Sequence, residues 1–136
     1  MANKKAVELL SKGLIDEFNK WIKLRRKEDE KGINLNNQDL SGLKLRYADL
    51  RDARLNGANL HGTELEGADL RKACLRGADL EGADLRNTRL RRADLRDANL
   101  TKANLERANL TKARCKGARF DQANLEGVNL KKAKGL

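Results

Sequence analysis

A five-residue period constrains this chain more than any other feature. From Leu35 to Leu130 every fifth residue is Leu, with Cys115 and Phe120 as the exceptions, so 20 consecutive units carry 18 Leu at their centre. Two positions before the centre the residue is Ala in 14 units; the others carry Ile33, Gln38, Leu43, Thr63, Thr88 and Val128. Asp or Asn separates the two in 13 units, giving the pattern Ala-(Asp/Asn)-Leu-x-x. Such a pattern drifts off any single face of an α-helix and breaks the alternation of a half-buried strand. It suits a coil in which each unit makes one short side and one turn, with Leu and the preceding Ala always toward the axis. Eight units place Gly two positions after Leu, at 42, 57, 62, 67, 77, 82, 117 and 127, where a turn with positive φ favours it. Asp and Asn beside the core Leu suit the same bends, because their side chains bond nearby backbone.

Runs such as Gly67-Ala68-Asp69-Leu70-Arg71 and Lys102-Ala103-Asn104-Leu105-Glu106 resemble the pentapeptide-repeat family over about residues 33 to 132. The resemblance implies an all-β solenoid, a right-handed quadrilateral β-helix with four units per coil and an N-terminal helical cap. Twenty units then give about five coils and, at a strand spacing of about 4.8 Å, a rod roughly 24 Å long. Composition agrees, since four aromatic residues in 136 leave the core to regular aliphatic packing. Leu burial alone does not outweigh the cost of ordering the backbone, so stacked hydrogen bonds and Ala contacts must add to it. Neighbouring coils are therefore required, and both ends need cover.

Residues 1–32 are expected to supply one cover. There Val7, Leu10, Leu14, Phe18 and Trp21 recur at helical steps, with Gly13 as a break, and the stretch from Leu10 to Trp21 resembles the amphipathic lead-in of cyanobacterial members. A partner-binding helix is the competing reading; an open first coil makes the cap the stronger one. The repeat region spans 33–132 and a short basic tail 133–136. At that end, either the Lys-rich tail blunts the edge or two rods meet as a homodimer through the C-terminal coil, and the charged tail is favoured.

The net charge of +10 directs attention to anionic partners. With four units per coil, residues 20 apart stack in columns, and charge becomes countable by face. The face centred on Leu50, Leu70, Leu90, Leu110 and Leu130 holds nine cations against three carboxylates, a net of +6. The face of Leu35, Leu55, Leu75, Leu95 and Cys115 nets +3, and the other two −2 and −1. Arg51, Arg71 and Arg91 form one column and Lys72, Arg92, Lys112 and Lys132 another, with Lys131 beside them. These residues are the candidate site for an anionic surface: nucleic-acid backbone, acidic protein or phospholipid headgroups. The face has no aromatic residue to stack bases, so sequence-reading of single strands is not expected. A solvated face that only keeps rods apart is the plainer reading.

Catalytic chemistry is not expected. Cys74 points outward and Cys115 inward two coils away, too far for a disulfide. His61 is the only His and reads as solvated, so no metal set is expected and no cofactor is implied. Asp49, Asp69, Asp79, Asp84 and Asp94 recur at one repeat position, which marks a backbone-bonding role and not acid–base pairs. No apolar run approaches a membrane span or a signal-peptide core, and a cytoplasmic protein of bacterial type with reduced thiols is expected. The function expected is a non-catalytic binding or scaffold rod. The resemblance also implies an alternative, a gyrase-directed or topoisomerase-directed mimic of duplex DNA, which the basic faces oppose because mimicry relies on an acidic rod.

Overall fold

The computed structural model describes residues 1–28 and 32–136. Two helices come first, α1 (Lys4–Ser11) and α2 (Ile15–Glu28), and a solenoid of five coils follows. Residues 29–31, which the sequence reading gives to the cap, lie outside the described residues.

The coils form a right-handed quadrilateral β-helix. Seventeen parallel bridges among the described residues each join a residue to the one 20 positions later, from Asn34 with Arg54 to Arg114 with Lys134. Each side of a coil is one bridged residue long, because the turn recurs every five. Around Leu70 the stacking is typical: Leu70 N–H donates to Arg89 O at 2.8 Å, Lys72 N–H to Arg91 O at 3.0 Å, and Arg89 N–H to Ala68 O at 3.1 Å. The turn closes by Ala73 N–H onto Leu70 O at 3.0 Å, with Lys72 at φ +61°, the pattern of a type II turn. The same closure and a positive φ occur in all 20 units, of which 12 have a residue other than Gly at that corner.

Every central residue from Leu35 to Cys115 is at most 1% exposed. Thr63 and Thr88 replace the inward Ala without leaving an orphan hydroxyl, since they donate to Leu40 O and Leu85 O, both at 2.8 Å. All 13 Asp and Asn side chains before the central residue accept the N–H two residues on, at 2.9–3.4 Å. These side chains take up turn donors that the ladder does not use.

The cap is two helices and not one. Asn3 caps α1 by accepting Ala6 N–H at 3.0 Å. The helix ends in a Schellman closure, with Gly13 N–H on Leu10 O and Leu14 N–H on Leu9 O, and Gly13 at φ +69°. Asp16 and Glu17 open α2 and Arg25, Arg26 and Lys27 end it, both signs matching the helix dipole. This break resets the helical phase. Leu10 and Phe18 are fully buried and Val7 and Trp21 partly so, but Leu14 sits in the break and is 38% exposed. Ala6, Leu9 and Ile22 complete the buried face instead.

Polar groups of the cap also take the place of a preceding coil. Asn3 N–H donates to Asn34 O at 2.8 Å, and Arg26 donates to Arg51 O at 3.0 Å. The Asn19 amide accepts Asp49 N–H at 2.8 Å and donates to Tyr47 O at 3.1 Å. In later coils the equivalents of Asn34 O, Arg51 O and Asp49 N–H bond the coil before. At the far end the core opens: Leu125 is 41% and Leu130 37% exposed. The ladder there continues to Lys134, whose N–H donates to Ala113 O and whose carbonyl accepts Cys115 N–H.

Candidate functional site at the basic faces

The corner turns aim Lys72, Arg92, Lys112 and Lys132 outward in one axial column, and the ladder fixes them one coil apart. The eight candidate residues divide into two groups. Arg51 is bidentate with Asp49, Nε and Nη2 both at 2.9 Å, and Arg71 with Asp69 at 2.9 and 2.6 Å. Arg26 of the cap also bonds Asp49. Burial works to raise the Asp49 carboxyl, but the hydrogen bonds from Arg51 and Arg26 outweigh it and hold it well below the usual carboxylate range. Lys72, Arg91, Arg92, Lys112, Lys131 and Lys132 make no ion pair among the described residues.

The division follows the axis. On this face the first two coils balance, because Asp49, Asp52 and Asp69 meet Arg51, Arg71 and Lys72; the last three carry the whole +6. In those coils Arg89, Asn109 and Asn129 occupy the place of the earlier Asp residues. A cleft of about 450 Å³ lies there, lined by Arg92, Lys112, Arg114, Lys132 and Lys134. It runs along the corner where the +6 and +3 faces meet, and a smaller depression of about 240 Å³ between Arg71, Lys72, Arg91 and Arg92 adjoins it. Sequence reasoning by face missed Arg114 and Lys134, which belong to the next face. The signal available was that the corner column borders the column of residues two further on.

Asp-Leu-Arg recurs as a clamp elsewhere. Asp84 with Arg86 and Asp94 with Arg96 repeat the bidentate geometry, and the hydrogen bond from each Arg is the main cause that lowers its Asp carboxyl. Cys115 is buried in the core, and burial pushes its thiol up to about 11, which keeps it protonated and inert. Cys74 is partly exposed, and neither cysteine is in a disulfide.

His61 is exposed, and coil stacking brings two carboxylates beside it. One ligand atom each from His61, Asp79 and Glu81 lies within 4.8 Å of the others, the His exposed and the carboxylates partly buried. Asn99 Nδ2 stands 3.4 Å from an oxygen of both carboxylates. His61 and Glu81 are 20 residues apart, so the column rule brings together what linear spacing separates.

Comparison with known proteins accounts for the architecture. The pentapeptide-repeat family profile matches in segments 33–71, 48–87, 73–111, 88–127 and 108–134. A comparison with curated proteins gives no match. Among solved structures, a pentapeptide repeat protein of the Arabidopsis thaliana thylakoid lumen is 41% identical, covering 70% of this chain and 63% of that one with a TM-score of 0.39. A pentapeptide repeat protein from the cyanobacterium Cyanothece 51142 is 26% identical, covering 81% and 95% at 0.50. The plasmid-mediated fluoroquinolone resistance protein QnrB1 is 18% identical, covering 76% and 55% at 0.60, a likeness of fold. The chain thus spans less than two thirds of the first and third of these. With the period, the 20-residue ladder and the profile in agreement, the chain belongs to the pentapeptide-repeat family.

Proposed function

We propose that this chain is a non-catalytic, cytoplasmic binding rod whose basic face engages an anionic macromolecule. The observation that carries the reading is the segregation of charge: three coils of one face hold a net +6 with no carboxylate among them. Solubility alone is served by mixed charge spread over all four faces. Here like charges stack about 5 Å apart, an arrangement that an anion would relieve. Among the described residues, no helix is long and apolar enough to cross a membrane. The DNA-mimic alternative lacks comparable support, since the most acidic face nets only −2. We take the acting form to be the monomer, because two copies joined at the last coil would bring Lys131, Lys132 and Lys134 of each together.

The test is capture from a source lysate at low and high salt, comparing the parent with a variant carrying Arg71→Glu, Lys72→Glu, Arg91→Glu and Arg92→Glu. A partner retained by the parent at low salt, released by high salt and not retained by the variant is the expected result. Equal capture by both proteins would remove the basic face from the account.

A further inference from the structure

The corners of the rod hold an observation that charge counting does not use. Each corner residue has a positive φ, a conformation that favours Gly, and the other three faces place Gly at 8 of their 15 corners. The +6 face has none. Its corners are Asp52, Lys72, Arg92, Lys112 and Lys132, at φ +60° to +63°. Four successive cations thus occupy positions where Gly would relieve the backbone, and three of them line the 450 Å³ cleft with Arg114 and Lys134. Backbone strain retained in register with an unpaired charge column points to a role for that column other than stability.

The composition of the cleft narrows the ligand. Its lining has five cations and no carboxylate, aromatic or aliphatic residue. A protein partner draws most of its affinity from a few buried aromatic or apolar anchors, and this cleft offers such anchors only the methylene stems of its Lys and Arg side chains, each ending in a charge. An unpaired strand gains from stacking on aromatic rings; Tyr47, the exposed aromatic residue of the rod, stands in the first coil. A duplex needs neither, because its bases are already stacked and its phosphates present about one charge per 1.7 Å of axis. We infer that the cleft formed by Arg92, Lys112, Arg114, Lys132 and Lys134 is a binding site for the phosphodiester backbone of double-stranded nucleic acid, without base readout. The inference rests on the proposed role of the basic face and deepens it.

The experiment uses the full chain and 24-base-pair DNA and RNA duplexes of unrelated sequences, titrated by fluorescence anisotropy at about 50 mM salt and upward. The cleft variant replaces Arg92, Lys112 and Lys132 by Gly, which suits each corner and keeps the fold intact. Its control replaces Lys102 and Arg107, corner cations of the other faces, by Gly. A second variant, Arg51→Gln with Arg71→Gln, addresses the balanced half of the face. The expected result is sequence-independent duplex binding that weakens at least about tenfold in the cleft variant, with the logarithmic salt slope shallower by about 0.9 for each phosphate no longer neutralised. The control should bind as the parent does, the Arg51/Arg71 variant should lose less than the cleft variant, and the cleft variant should melt at a higher temperature.

Loss in the Arg51/Arg71 variant with none in the cleft variant would overturn the inference while leaving the basic face in place. So would tighter binding of a single strand or of polyglutamate than of the duplex. Absence of binding to every polyanion at low salt would overturn both the inference and the reading beneath it.

Discussion

At the scale of the residue, the five-residue unit has one rigid demand and one tolerant position. Through the first four coils the central Leu and the preceding Ala are sealed against the axis, whereas the corner two residues later accepts any side chain that endures a positive φ. The left-handed conformation costs a residue other than Gly about 1–2 kcal/mol, and Gly returns about 0.5–1 kcal/mol of that through its freer unfolded chain. Lys112→Gly should therefore stabilise the rod by roughly 0.5–1 kcal/mol, and Gly62→Ala, where a Cβ meets nothing within 4 Å, should destabilise it by a similar amount. Urea midpoints read both, at unchanged m. Midpoints that stay fixed in both variants would mean that the corners carry no strain. The sequence reveals the turn where Gly marks it. At Tyr47, Lys72 or Arg92 the residue type argues against a positive φ, and only the unbroken period carries the turn across.

At the scale of the element, the helical cap works by imitation. Asn19 offers the first coil an amide that accepts and donates much as a backbone peptide does, and Arg26 and Asn3 serve two further carbonyls. Replacing Asn19 by Leu keeps the bulk but leaves Asp49 N–H without its partner, at a cost of about 1–3 kcal/mol if no water reaches it. Hydrogen exchange should then quicken at amides of the first coil, Asp49 above all, and stay slow in the fourth. Uniform quickening along the rod would show that the cap stabilises the whole solenoid and not its edge. The existence of this cap is legible in the apolar spacing from Val7 to Trp21, but its inner face is not. A helical period counted straight through Gly13 puts Leu14 inside, and the Schellman closure turns it out. Nor does any spacing rule disclose that Asn19 and Arg26, polar residues in an amphipathic stretch, face the coil.

At the scale of the whole molecule, the architecture is legible because one number, five, governs both burial and turning, and four such units close a coil. The site is only partly legible. Summing charge by face finds the basic surface, yet pairing decides which cations remain available, and the Asp49–Arg51 and Asp69–Arg71 clamps come from side-chain geometry. His61, Asp79 and Glu81 meet for the same reason the cations do, across coils and not along the chain. The ladder that joins each residue to the one 20 positions later has a genetic counterpart. Duplicating one unit within the cleft, for instance residues 123–127, keeps every Leu and Ala at an inward position, so the protein should fold with nearly the parent's melting temperature. It also rotates all later side chains by a quarter turn, which takes Lys132 and Lys134 out of line with Arg92, Lys112 and Arg114. Duplicating four units lengthens the rod by about 4.8 Å and leaves every column intact. Duplex affinity should survive the second duplication and not the first, and equal affinity in the two would separate binding from columnar order. Lineages that use this surface should accordingly gain and lose repeats in fours, while length changes in single units should accompany a change of partner.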